Sequence, residues 1–286
     1  MSRIWKAGRF DLTWQPNQPL VMGIVNATPD SFSDGGQYAQ AKPAIAHAER
    51  LLKEGADVLD LGGESTRPGS EGVSVEEEWA RVQGILAEVV KWNVPLSIDT
   101  LKPEIMRRAL DLGVDIVNDV NGFRAEGAMQ ALLASHAGAV VMHMQGQPRS
   151  MQVSPEYDDV VAQVRAFLKA QLEQFVASGF SADRVLVDPG FGFGKTLAHN
   201  MDLIQNLDAF SSLGAGVLVG VSRKRMIGEL TGQDDPAKRV SGSIAAALFA
   251  AHAGAAMVRV HDVRETCDAL AVWKELHCAH GDDGLN

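Results

Sequence analysis

Residues 94–122 read VPLSIDTLKPEIMRRALDLGVDIVNDVNG, and the architecture of the whole chain is present in this one stretch. An apolar run over 94–100 ends in Asp99 and Thr100. A segment over 103–112 follows, with Pro103 at its start and apolar residues three and four apart. Gly113 then precedes a second apolar run over 115–121. Proline suits the first turn of a helix, where its missing N–H would be unpaired anyway, and glycine just past the end supplies the left-handed residue that closes one. Asp99 and Thr100 are the expected caps. The pattern is strand, helix, strand, and strands joined through a helix run parallel.

The unit recurs. Runs of the same kind, bounded by Gly, Pro, Asp or Asn, occupy 20–26, 57–63, 94–100, 115–121, 138–144, 184–190, 217–222 and 256–262; their length and composition predict strands. Helical periodicity covers 41–54, 75–92, 103–112, 127–136, 158–177, 200–210, 239–253 and 263–278, with Gly55, Gly113, Gly179 and Gly254 as C-terminal stops. Strict alternation requires a parallel sheet, either closed into a barrel or open and doubly wound. Eight units favour closure, and the G-x-G-x-x-G of an open dinucleotide-binding sheet is absent from all the strand-to-helix turns. The expected fold is α/β, a single (β/α)8 TIM barrel over 1–286. Residues 1–19 carry Trp5, Phe10 and Trp14 in rough alternation and predict a hairpin or plug over the barrel's N-terminal end.

At 286 residues, 46% hydrophobic and 22% charged, the composition is that of a globular protein with a full core. Lys and Arg number 26 against 36 Asp and Glu, and the net charge of −10 repels a phosphate backbone, arguing against a general nucleic-acid binder. The N-terminal residues hold no apolar run of signal-peptide length, and the weakly polar stretch 244–251 is far short of the roughly 20 residues that span a bilayer. Cytoplasmic residence is expected, with no membrane or nucleic-acid partner. Cys267 and Cys278 stand eleven residues apart on a predicted helix, about 16 Å along its axis and beyond the roughly 7 Å reach of a disulfide, so free thiols are expected.

In a parallel barrel the ligand site lies at the C-terminal ends of the strands. Those ends carry Asn26; Glu64 with Thr66 and Arg67 just beyond; Asp99; Asn118 and Asp119; His143; Asp188; Ser222 with Lys224; and Arg259 with His261. Any single Asp or Asn there could be a turn former or cap, yet every strand starts apolar and finishes in a hydrogen-bonding group. Asp99, Asn118 and Asp188 form an acceptor-rich side; Arg67, Lys224, Arg259 and His261 form a cationic one. Neighbouring strands are roughly 5 Å apart, so one ligand could span both sides: a planar heterocycle donating N–H groups to carboxylates, with an anionic arm held by the cations. The run Arg223-Lys224-Arg225 is expected to set three cations at the mouth. Long Gly/Pro-rich turns at 26–36 and 62–70 are expected to be lids. Gly190-Phe-Gly-Phe-Gly-Lys-Thr196 imitates a phosphate-binding P-loop but fails its spacing by one residue. It reads as a flexible turn that brings backbone and Phe193 to a ligand. His143 and His261 lack zinc-site spacing.

The segments NATPDSFSDGG (26–36), DLGGESTRPGS (60–70), SIDT (97–100), NDVNG (118–122), MHMQG (142–146), DPGFGFGKT (188–196), GVSRKRMIG (220–228) and RVHD (259–262) together resemble the dihydropteroate synthase family of folate biosynthesis. They occur in that family's order; the one small departure is Ala27, where valine is common. The resemblance implies condensation of 7,8-dihydropterin-6-ylmethyl diphosphate with 4-aminobenzoate, giving 7,8-dihydropteroate and diphosphate. It implies a pterin pocket of Asp99, Asn118, Met142, Asp188, Phe193, Gly220, Lys224 and Arg259. Diphosphate contacts fall on Asn26, Arg67, Arg259 and His261, with Mg²⁺ held by Asn26, and an aminobenzoate site on Phe32, Thr66, Pro68, Phe193 and Ser222. Lys224, Arg259, His261, Arg67 and Asp99 are the implied catalytic groups. Two other barrels share parts of this pattern: a pterin-dependent methyltransferase, which has no use for Arg67, His261 or the long turns, and an aldolase using Lys224 as a Schiff-base amine.

The helix over 239–253 contains GSIAAALFAA (242–251), small or apolar nearly all round, whereas an outer barrel helix should show solvent a polar face. A second covered face is expected, involving Ala246 and Ala250, and the family resemblance likewise implies a homodimer packed through the later helices.

Overall fold

The computed structural model describes residues 3–27, 37–65, 69–70, 72–146, 151 and 155–278, with 37–40 and 278 described by backbone alone. An antiparallel hairpin of β1 (Arg3–Ala7) and β2 (Phe10–Trp14) comes first. The strands β3 (Leu20–Asn26), β4 (Val58–Gly62), β5 (Leu96–Asp99), β6 (Ile116–Asp119), β7 (Gly138–Met142), β8 (Val185–Asp188), β9 (Gly216–Val219) and β10 (Met257–Val260) then close into a parallel barrel in sequence order, β10 pairing with β3. The chain forms the expected (β/α)8 barrel. Around it run α1 (Gln37–Lys53), α2 (Val75–Val89), α3 (Pro103–Asp111), α4 (Ala128–Leu133), α5 (Val160–Ala177), α6 (Leu197–Gln205), α7 (Leu207–Ser211), α8 (Arg225–Thr231), α9 (Val240–His252) and α10 (Val263–Cys278).

The stretch 94–122 is β5, α3 and β6, and Gly113 does close the helix with φ +97°. The cap is corrected: Lys102 precedes Pro103 as N-cap without a side-chain bond, Thr100 Oγ1 accepts from the Lys102 amide at 3.2 Å, and Asp99 turns into the barrel. Two helices differ from expectation. The segment 200–210 breaks at Asn206 into α6 and α7, and α8, a seven-residue helix, appears where the sequence reads as loop. Gly228 inside α8 lowers its propensity; a Cβ there would stand 2.6 Å from the Gln233 carbonyl.

Alternation along the strands sorts the core. Leu59, Leu61, Val117, Val141, Val187, Val219 and Val258 pack outward against the helices. Met22, Val58, Ile116, Val140, Leu186, Leu218 and Met257 meet inside the barrel with Trp5, Ala7 and Trp14 of the hairpin. The hairpin is thus the expected plug, and Trp5 is 1% exposed. Glycine makes room for it, since a Cβ on Gly138 would lie 3.0 Å from the Trp5 ring and one on Gly216 2.9 Å from Trp14. Phe10 stays partly exposed beneath the Arg9 guanidinium. Arg9 ties the hairpin to the barrel by a two-pronged contact with buried Asp115, both N–O distances 2.9 Å. Cys267 is a free thiol.

Candidate active site

Two residues above that apolar layer, the same inward positions become polar: Asp60 above Val58, Asn118 above Ile116, Asp188 above Leu186 and Arg259 above Met257. Gly220 follows Leu218 at the same interval, and Asp99 follows Ser97. Strand register therefore sets a ring of polar groups over an apolar floor.

Arg259 crosses the ring. Its Nε donates to Asp60 Oδ2 at 2.6 Å and its Nη2 to Asp99 Oδ2 at 2.7 Å. Asn118 Nδ2 donates to the same Asp60 oxygen at 3.1 Å. The other oxygens, Asp60 Oδ1 and Asp99 Oδ1, are buried with no hydrogen-bond partner. Such acceptors are costly to leave unpaired. Asp188 takes the Gly190 amide on Oδ1 at 2.7 Å. Lys224 Nζ donates to the Phe191 carbonyl and lies 4.5 Å from the Phe193 ring centroid, a cation–π distance. A Cβ on Gly220 would sit in ordinary contact with Arg259, Asp188 and Lys224, at 3.9 to 4.0 Å. Glycine keeps a side chain out of the point where these three groups converge. Met142 packs with Val120, Met144 and Met151, and Phe193 closes on this apolar group.

Burial pushes Asp99 up to about 7, opposed by the neighbouring Arg259. It raises Asp188 as well, against the pull of Lys224. Burial also presses Lys224 down to about 8, with Asp188 opposing. For Arg259 burial lowers the pKa, but Asp60 and Asp99 outweigh it and the net shift is upward. The site is a dry cluster of opposed charges held together by one another.

At the rim, the His261 amide and Nδ1 both lie 3.2 Å from Ser222 Oγ, so buried Ser222 orients the histidine. Asn26 ends β3, exposed, opposite Gly62. The three-cation expectation is corrected. Arg223 adopts φ +57° and swings away to Asp262, with Nε to Oδ2 at 2.9 Å, while Arg225 is exposed and pairs with Glu229 at 2.6 Å. Lys224 alone of the three enters the pocket. Phe32, Thr66, Arg67 and Pro68, with most of the first expected lid and the middle of the second, lie outside the described residues. The described flank of the second turn is tied down: Lys102 pairs with Glu64 and with Glu78, the latter at 2.6 Å, and Arg81 Nη1 donates to the Gly63 carbonyl at 2.8 Å.

In the glycine-rich turn Gly190, Gly192 and Gly194 take positive φ, and the turn is hydrogen-bonded by side chains around it. Lys195, 3% exposed, donates to Gly190 O at 2.9 Å and Phe193 O at 3.0 Å, and Tyr157 donates to Gly194 O at 2.9 Å. His143, buried, faces Lys195; among the described residues no group of three His, Cys, Asp or Glu could hold a metal. Sequence reasoning missed Asp60 and Lys195. The signal for Asp60 was a charge in mid-strand two residues before Gly62; for Lys195 it was a cation inside a turn with no room for exposed charge.

Comparison with known proteins agrees with this geometry. The family described as pterin binding enzyme matches residues 22–261. The dihydropteroate synthase of Neisseria meningitidis serogroup C is 55% identical over 278 residues, covering 96% of this chain and 97% of that one. The structure of the Xanthomonas albilineans dihydropteroate synthase with 4-aminobenzoic acid superposes with a TM-score of 0.90 at 48% identity, over 97% of this chain and 99% of that one. That of Burkholderia cenocepacia dihydropteroate synthase with 7,8-dihydropteroate gives 0.88 at 45% identity, over 98% of each. A match of this extent, on a barrel whose upper layer carries a ring of buried polar groups, means that the chain belongs to the dihydropteroate synthase family of pterin binding enzymes.

Proposed function

We propose that the polar ring binds a 7,8-dihydropterin bearing a 6-methylene diphosphate and hands its methylene to the amine of 4-aminobenzoate. The observation that carries this reading is the convergence of Asp188, Lys224 and Arg259 on Gly220, a strand-end position with no side chain of its own. Asp188 accepts from the ring N–H and 2-amino groups, while Lys224 donates to the 4-oxo oxygen. Asn118, Asp99, Met142 and Phe193 complete the ring's surroundings.

The electron-rich dihydropterin expels diphosphate as its methylene C–O bond breaks, leaving a resonance-stabilised cationic methylene. The arylamine lone pair forms the new C–N bond and the amine then loses a proton. No protein nucleophile is needed; the chain contributes positioning and stabilisation of the departing anion by Arg259, His261 and Arg67. Phe32, Thr66 and Pro68, with Ser222 acting through His261, are assigned to the aminobenzoate side. Asn26 offers an exposed amide oxygen, a hard donor suited to Mg²⁺, which takes oxygen ligands and keeps several waters. Bound there beside the diphosphate, the ion would supply charge neutralisation to the leaving group.

The surface supports a homodimer. Phe249 on α9 and Val272 and Leu276 on α10 are exposed apolar residues at 42%, 62% and 60%. Ala250 is corrected, since it is fully buried against the barrel; Ala245 and Phe249 face out instead. Among the described residues no helix is long and apolar enough to cross a membrane, and a cytoplasmic place fits the charge and composition. Diphosphate release tests the function: it should require both the pterin diphosphate and 4-aminobenzoate. Release at the same rate without the arylamine, or none with both, would defeat the reading.

A further inference from the structure

Behind the Phe193 wall sits a second ammonium that the chemistry above does not use. Lys195 Nζ lies 2.9 Å from Gly190 O, 3.0 Å from Phe193 O, 3.0 Å from His143 Nδ1 and 3.4 Å from His143 O. Burial, reinforced by the Lys195 charge, pushes the His143 pKa to about 3, so its ring is neutral, and in the tautomer with its hydrogen on Nε2 the Nδ1 accepts. The three shorter contacts match the three N–H donors of an ammonium, and the His143 carbonyl stands at the edge of hydrogen-bond range. Burial lowers Lys195 to about 7 and Lys224 to about 8, and Asp188 opposes the shift at both.

The turn that Lys195 gathers is held from every side. Lys224 takes the Phe191 carbonyl from the pocket, Asn200 Oδ1 accepts from the Gly192 amide at 2.7 Å, and Asp188 Oδ1 accepts from the Gly190 amide at 2.7 Å. It is pressed onto the end of β7: a Cβ on Gly190 would come within 1.9 Å of His143 O, and one on Gly194 within 2.6 Å of Gln145 O. Backbone so close must be pulled in by something, and Lys195 bonds to both sides of the contact, Gly190 and Phe193 on the turn and His143 on the strand end.

We propose that Lys195 is a positioning residue for the pterin-binding face: it draws the Gly190 and Phe193 carbonyls and the His143 ring onto one buried ammonium and thereby sets where Phe193 meets Lys224. It reaches the ligand only through Phe193, whose carbonyl it holds. The proposal rests on the pterin reading of the pocket, so wild-type affinity for a pterin lacking diphosphate is measured first; absence of binding counts against that reading and not against Lys195.

The test is Lys195→Met, alone and with Phe193→Ala, read by pterin calorimetry and steady-state kinetics. Lys195→Met should weaken pterin affinity about tenfold or more and raise the pterin-diphosphate KM in step, with kcat at saturation within about threefold. On the Phe193→Ala background the same substitution should change affinity less than about twofold, because coupled residues are non-additive. Fully additive losses, or a fall in kcat with affinity unchanged, would overturn the assignment. Should Lys195→Met fail to fold, hydrogen exchange on the wild-type protein decides. The amides of 190–194 should be protected before any ligand is added and shift less than about threefold on pterin binding; unprotected exchange in the free protein would refute a prebuilt turn.

Discussion

The lower and upper layers of the barrel interior come from the same strands, two residues apart, yet hold opposite chemistry. Below, Val58, Ile116, Leu186 and Met257 pack on Trp5 and Trp14 and leave the plug buried. Above, Asp60, Asn118, Asp188 and Arg259 hold a pocket in which carboxylate oxygens go unpaired and the pKa values of Asp99 and Lys224 are driven towards neutrality. The floor is built for stability, and the ring above it is poised for a ligand at some cost to stability. Closed backbone pairing lets one scaffold carry both, because alternation fixes which residues share a level.

Breaking the floor should give the largest effect. Trp5→Ala removes a fully buried aromatic and should cost about 3–5 kcal/mol of unfolding free energy. Denaturant titration measures the loss, and pterin affinity of the folded fraction should stay within about threefold of wild type. Breaking the ring should do the reverse. Asp188→Ala deletes an acceptor for at least two ligand donors, weakening pterin binding by about 2–4 kcal/mol. Burial raises the Asp188 pKa, so its charge carries a cost in the native state, but its removal also unpairs the Gly190 amide and the Lys224 ammonium; the variant should lose less unfolding free energy than Trp5→Ala.

A smaller, pH-dependent effect distinguishes the layers again. Asp99 titrates near 7 in the folded chain against an ordinary 3.8, so the folded state holds a proton that the unfolded state has lost between those values. Its stabilising contribution is full below the ordinary value and disappears as pH rises through about 7. Pterin binding, which needs the carboxylate as acceptor, should run the other way and weaken by up to about tenfold per unit below that pH. Calorimetry at several pH values checks it; Asp99→Asn should flatten the profile, and an unchanged slope would remove Asp99 from the contact. The smallest effect on the site belongs to the outer surface. Ala245→Glu with Phe249→Glu should give monomers by light scattering while leaving pterin affinity within about twofold, and a wild-type protein that is monomeric at micromolar concentration would count against the dimer.

The barrel was legible because period-two and helical periodicities alternate along the chain, and glycines such as Gly113 mark helix ends. What escaped were short elements decided by contacts rather than pattern. Helix α8 contains Gly228, and the break at Asn206 leaves no composition signal. In the site, Asp99, Asn118, Asp188, Lys224 and Arg259 stood out as strand ends. Asp60 did not, because it lies inside an apolar strand and its inward direction depends on register. The divergence of Arg223 from Lys224 follows from one left-handed residue, which residue types alone do not reveal. Lys195 was hidden by its likeness to a phosphate-binding lysine; its partners are carbonyls of the turn it follows.

The upper polar layer, and no other part of the interior, is proposed to receive the pterin ring. A crystal structure with a 7,8-dihydropterin bound tests it most directly. The ring should lie over Gly220, within hydrogen-bond distance of Asp188 and Lys224 and against Phe193 and Met142, with the lower layer unmoved. A pterin seated elsewhere, or a ring over Gly220 that leaves Asp188 without a hydrogen bond from it, would contradict the account.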